Sequence, residues 1–113
     1  MKTVPTFNAQ IWLGFKERET GQVQGPHLAK SICQEFVDEV GRCVTVTSTD
    51  FIYTNGGEPG IVVGFINYPR FPATPEKIKE QALELANRLK AGYRQMKVTI
   101  VFTDETVMLE DDD

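Results

Sequence analysis

The 113-residue chain is poor in the residues that most often announce chemistry. It has one histidine, His27, and two cysteines, Cys33 and Cys43. Two cysteines make no disulfide framework, and no second histidine or cysteine stands at metal-ligand spacing, so a zinc site is not expected. Cys33 falls on a predicted helix and Cys43 at a strand start; both read as reduced, small core residues of a cytoplasmic protein. No apolar run approaches the roughly 20 residues of a membrane span. The first residues, Met1-Lys2-Thr3-Val4-Pro5, show no signal-peptide pattern. No serine sits in a nucleophile elbow. Gly56, Gly57 and Gly60 precede a strand rather than a helix, which excludes a Walker or Rossmann phosphate loop. A basic excess is missing too. Twelve Lys and Arg stand against sixteen Asp and Glu, a net charge of −4, and nucleic-acid binding needs a basic footprint. Glu110-Asp111-Asp112-Asp113 reads as an acidic, disordered tail after a single domain spanning 1–109.

What remains suits one globular domain. Hydrophobic residues make up 41% of the chain, enough for a core. Gln10–Lys16 alternates, with Ile11, Leu13 and Phe15 on one face and Trp12 and Gly14 on the other. A polar loop, Glu17–Gly25, leads to Pro26 as a helix start. Leu28, Ile32, Phe36, Val37 and Val40 recur at helical spacing, and Gly41 stops the helix. Cys43–Thr49 alternates again, with Val44 and Val46 inward and Thr45, Thr47 and Thr49 outward. Gly60–Asn67 is an apolar strand, ended by Pro69 and Pro72. Thr74-Pro75 caps a second helix with the stripe Ile78, Ala82, Leu85 and Leu89, flanked by Leu83 and Ala86. Lys97–Phe102 is a strand, and Thr106–Leu109 reads as an edge strand or hairpin arm.

The order strand, helix, strand, strand, helix, strand predicts an α+β, ferredoxin-like βαββαβ sandwich. Right-handed crossovers place both helices on one face of the antiparallel sheet. The other face then carries Trp12, the threonines and part of Ile61–Ile66. An apolar face of that size marks an interface, and a closed trimer with its sheets facing inward is the favoured arrangement.

Asn55-Gly56-Gly57-Glu58-Pro59-Gly60 is the segment richest in functional signal. It holds a lone carboxylate among glycines that permit close backbone approach. Glu58 can hold a cation or ribose hydroxyls near a subunit interface; its plain structural role is to cap loop amides in a turn. Tyr53, on the other arm of the hairpin, can offer a ring face or a hydroxyl, or simply form a cross-strand aromatic pair. Thr49-Asp50 ends the threonine strand, where an Asx turn is the plain reading. Arg70, within Asn67-Tyr68-Pro69-Arg70-Phe71-Pro72, can meet a carboxylate or phosphate, although a rigid proline loop with Phe71 tucked under it is the favoured reading of the segment.

Four features together resemble the small bacteriophage S-adenosylmethionine lyases. They are the opening strand Ile11–Phe15 with its following loop and helix, and the threonine strand ending Ser48-Thr49-Asp50. Tyr53 followed by Glu58 is the third, and the final helix with the strand and hairpin Lys97–Leu109 is the fourth. The resemblance spans most of the chain. It implies a ferredoxin-like subunit in a trimer like that of the nitrogen-regulatory PII proteins, with no cofactor. It also implies intramolecular lactonisation of S-adenosylmethionine to methylthioadenosine and homoserine lactone. In that scheme Glu58 anchors the substrate ammonium and Tyr53 faces the sulfonium or the adenine. Trp12, Leu13, Gly14, Thr20, Thr49 and Asp50 lie around the ligand. Arg70 or Lys16 would meet a phosphate if the substrate were an adenylated derivative. Two rival classes use the same surface: a PII-like sensor without turnover, and a small phage protein binding a host partner through its sheet face.

Overall fold

Buried and exposed residues alternate along Asn8–Gly14 (β1), with Ala9, Ile11 and Leu13 buried in the core. This strand lies at the centre of the sheet, and the computed structural model describes residues 1–111 around it. The remaining elements are α1 (His27–Val40), β2 (Val44–Tyr53), β3 (Gly56–Ile66), α2 (Pro75–Gly92), β4 (Lys97–Phe102) and β5 (Thr106–Glu110). The five strands pair antiparallel in the order β2-β3-β1-β4-β5, and both helices pack on the sheet. This is the ferredoxin-like α+β fold that the element order predicts, with a fifth strand added beside β4.

Both helices are built by their apolar stripes. In α2 the Thr74 hydroxyl accepts the Lys77 N–H at 3.1 Å, and Pro75 opens the first turn. Ile78, Ala82, Leu85, Ala86 and Leu89 are buried, as their spacing requires. The stripe of α1 runs through Ala29, Cys33 and Phe36, with Ile32, Val37 and Val40 packed at its flanks. Leu28, expected on that stripe, is instead 37% exposed. Gly41 ends the helix at φ 70°, and its N–H bonds to the Val37 carbonyl. No side chain of α1 itself caps its start. Tyr93, at the end of α2, does so from a distance. Its hydroxyl accepts the Ala29 N–H at 2.8 Å and donates to the Gly25 carbonyl at 2.7 Å. The ring stacks on Phe15 with centroids 4.8 Å apart. Burial of this phenol pushes its pKa up.

The largest departure from the sequence expectation lies in the β2–β3 hairpin. The turn is only Thr54-Asn55, with Asn55 at φ 62°. Gly56 already pairs with Tyr53, so Gly57, Glu58, Pro59 and Gly60 are strand residues rather than loop. Glycine and proline are depleted in strands, hence the loop reading. The acidic end also starts differently. Glu110 is the last residue of β5, opposite Lys97, and the Asp111 N–H bonds to the Met96 carbonyl. Residues 112 and 113 of the expected tail lie outside the described residues.

Candidate functional site

The corner where β1 leaves the sheet is made by Pro59. In an antiparallel ladder, the N–H and C=O of one residue point to the same neighbour. Pro59 accepts from the Phe15 N–H at 2.9 Å on the β1 side and has no N–H to return. The Phe15 carbonyl is therefore free of β3 and accepts the Gln24 N–H at 3.0 Å. The chain peels away from the sheet at this point. The next donor, the Lys16 N–H, finds the carboxylate of Glu58, with Oε2 at 2.7 Å. A bond from an amide to an ionised carboxylate is among the stronger hydrogen bonds. Glu58 therefore does not cap amides of its own turn, contrary to its plain structural reading; from within β3 it bonds an amide 42 residues away in the chain. It uses one oxygen; among the described residues Oε1 has no hydrogen-bond partner.

Glycine makes this placement possible. A Cβ at Gly14 would lie 2.5 Å from Glu58 Oε2 and 2.8 Å from its Cδ, so the carboxylate rests directly on the bare backbone of β1. Gly60, beside Gly14 in the register, lies under the Phe51 ring and against the Leu13 carbonyl. The same device recurs on this face at Gly56 under Tyr53 and at Gly64 under the Thr45 hydroxyl. Side chains that would normally stand up from the sheet lie flat across it.

These residues are on the face away from the helices. Alternation along β2 puts Thr45, Thr47, Thr49, Phe51 and Tyr53 there. Phe51 meets Trp12 edge to face, with ring centroids 6.4 Å apart. Trp12 lies between Val62 of β3 and Thr99 of β4. Its indole Nε1 is buried and has no acceptor among the described residues. A cleft of about 250 Å³ opens here, walled by Trp12, Phe51, Tyr53 and Glu58, with Gly14 at its floor and Gln95, Lys97 and Thr99 opposite.

Four of the residues singled out from the sequence therefore come together: Trp12, Gly14, Tyr53 and Glu58. The others do not join them within one chain. Thr49 and Asp50 border a second cleft, of about 270 Å³, with Phe15, Gln24 and Pro26. Leu13 is 1% exposed and belongs to the core. Thr20 stands in the exposed loop after β1, where its hydroxyl accepts the Gln22 N–H at 3.1 Å. Arg70 follows the far end of β3 and is exposed; the Asn8–Ile66 pair marks that end, opposite to Gly14 and Gly60.

Four residues of the cleft escaped the sequence reading: Phe51, Gln95, Lys97 and Thr99. The alternation of Lys97–Phe102 already turns Lys97 and Thr99 away from the core. Only the register of β4 on β1, with Trp12 opposite Thr99, shows that they reach the same cleft. Among the described residues no group of three His, Cys, Asp or Glu side chains is placed to hold a metal, and no helix is long and apolar enough to cross a membrane.

No protein-family model matches the chain, and no curated protein matches its sequence. Its fold does match solved structures. A phage SAM lyase in the apo state superimposes with a TM-score of 0.77 at 13% identity, covering 95% of this chain and 90% of that one. A phage SAM lyase in complex with S-methyl-5'-thioadenosine gives 0.76 at 13% identity, over 94% and 90% of the two chains. The resemblance read from the sequence is thus present in the fold, and it is remote.

Proposed function

We propose that the protein is a lyase that cleaves S-adenosylmethionine, or an adenylated derivative of it, to methylthioadenosine and homoserine lactone. The observation that carries this reading is the half-anchored carboxylate of Glu58, fixed by the Lys16 amide and laid over Gly14 beside three aromatic rings. The likeness in fold to phage SAM lyases supports it.

The reaction asks little of the protein. A carboxylate oxygen of the substrate attacks its own γ-carbon. The carbon–sulfur bond breaks, and its electron pair leaves on sulfur as neutral methylthioadenosine. The lactone retains the ammonium. No proton moves in this step, so neither a general base nor an added nucleophile is required. Holding the methionine part bent into a near-attack geometry is the main task, and effective molarities show that such positioning supplies a large share of a barrier. Oε1 of Glu58 is available for the substrate ammonium. The faces of Trp12, Phe51 and Tyr53 suit the sulfonium, as aromatic faces attract cations. The glycine-flattened sheet face suits packing against further copies of the chain, in a trimer that would enclose the cleft.

A sensor without turnover would use the same cleft. The observation on its side is that Glu58 already has a structural bond to make. The test is to incubate the protein with S-adenosylmethionine and follow methylthioadenosine by chromatography, with Glu58→Gln alongside. Release by the parent and its loss in the variant support the lyase. A folded protein that binds the substrate and releases nothing would leave the sensor.

A further inference from the structure

The cleft holds a cation as well as an anion. Trp12 stands opposite Thr99 in the β1–β4 ladder, and the same register carried two residues on puts Lys97 beside Gly14. Glu58 lies over Gly14 from the β3 side. Lys97 and Glu58 thus flank one bare glycine from its two neighbouring strands and line the same cleft. Opposite charges so placed would be expected to pair. Among the described residues they do not: neither side chain takes part in an ion pair, while Lys79, Arg88, Lys90 and Arg94 all do. Lys97 is exposed, and its cross-strand neighbour Glu110 does not neutralise it within ion-pair distance.

We infer that Lys97 and Glu58 form a clamp for a zwitterion, with Glu58 taking the ammonium and Lys97 the carboxylate of an α-amino acid whose cationic or aromatic remainder lies along Trp12 and Phe51. The floor explains the choice of glycine. A side chain at position 14 would run into the Glu58 carboxylate and displace the half of the clamp that takes the ammonium. The clamp deepens the lyase reading by naming a group that holds the attacking carboxylate. It rests on that reading only in taking this cleft as the ligand site. Lys97 would orient the carboxylate by one oxygen and leave the other to face the γ-carbon.

Calorimetry and turnover together test it. S-adenosylmethionine, its decarboxylated analogue and methylthioadenosine are titrated into the parent protein and into Lys97→Met and Lys97→Arg. Losing a charge-assisted contact is expected to weaken S-adenosylmethionine by about tenfold or more in Lys97→Met, with substantial rescue in Lys97→Arg. The decarboxylated analogue and methylthioadenosine should bind the parent and Lys97→Met alike, an outcome that a merely structural lysine would not produce. Equal weakening of all three ligands, or of none, overturns the clamp. Binding that depends on Lys97 without release of methylthioadenosine sinks the lyase and keeps the clamp. Undiminished binding and turnover in Lys97→Met does the reverse.

Discussion

The two faces of this sheet are made by the same strands and obey different rules. On the helix side, Ile11, Leu13, Ile61, Val63, Phe65, Val98 and Ile100 are large, apolar and buried. On the other side, the residues between them include Gly14, Gly56, Gly60 and Gly64, with Glu58, Tyr53, Phe51 and Thr45 laid over the space these glycines leave. The first face is held by many interchangeable contacts, so loss of one weakens the whole without changing its shape. The second is held by single close approaches, each of which places one particular group. The contrast predicts that mutations on the helix side act on stability first and mutations on the open side act on ligand binding first.

The largest effect should come from the helix side. Leu85→Ala empties a fully buried position in α2 and should cost about 2–5 kcal/mol in denaturant unfolding. Ligand affinity of the fraction still folded should stay at the parent level. A collapse of affinity in the folded fraction would show that the two faces are coupled.

The glycines divide the open face further. At Gly60 a Cβ would run into the Leu13 carbonyl as well as the Phe51 ring. Backbone cannot give way cheaply, so Gly60→Ala should destabilise by about 1–3 kcal/mol. At Gly14 the obstacle is the end of a flexible side chain, the Glu58 carboxylate. Gly14→Ala should therefore displace Glu58 and orphan the Lys16 N–H, which is exposed enough to take water. The expected result is a small change in midpoint with ligand binding abolished. Equal losses of stability in the two variants would break the distinction.

Much of the helix side was legible because its signal is repeated. The stripe of α2, the Thr74 cap and the Gly41 stop each follow from residues adjacent in the chain. The open side depends on partners far apart in sequence. Nothing near Pro59 indicates that β1 will need an end opposite it, and nothing near Glu58 names the Lys16 amide, 42 residues away. Gly-Gly-Glu-Pro-Gly resembles a loop because its strand role becomes visible only once Tyr53 and Phe51 are seen lying on the glycines. Lys97 and Thr99 enter the cleft through the register of a pairing that local pattern does not encode. Glu58 and Tyr53 were recognisable as candidates; their shared cleft with Trp12 and Gly14 was a property of the fold.

Tyr93 and Cys33 give the helix side a pH signature. Burial raises the pKa of both, that of Cys33 from 9.0 to about 11. For an acid kept neutral by burial, the stability is fully present below its unfolded pKa and is lost as pH rises through the folded one. Unfolding midpoints should therefore fall above about pH 9, and Cys33→Ala should remove the part lost between pH 9 and about 11. Tyr93→Phe should cost about 1–3 kcal/mol at neutral pH, because the Ala29 N–H and the Gly25 carbonyl lose their partner. A flat alkaline limb would contradict the burial of both groups.

The smallest expected effect is the sharpest test of where the open face ends. Among the described residues the buried Trp12 indole N–H has no acceptor, and an unmet buried donor costs about 1–3 kcal/mol. Trp12→Phe removes that donor and keeps an aromatic ring against Phe51, at the expense of some buried area. In a single chain the two changes oppose each other, so the midpoint should shift by about 0.5 kcal/mol or less. A copy of the chain packed over this face could supply the missing acceptor. In that case Trp12→Phe becomes clearly destabilising, and the loss grows with protein concentration, because the bond exists only in the assembly. Denaturation of Trp12→Phe and the parent across a hundredfold range of concentration separates the two. A concentration-independent, near-zero difference places the whole of Trp12 in the single-chain fold. A concentration-dependent loss makes its N–H part of an interface, and the cleft beside it a site that two chains share.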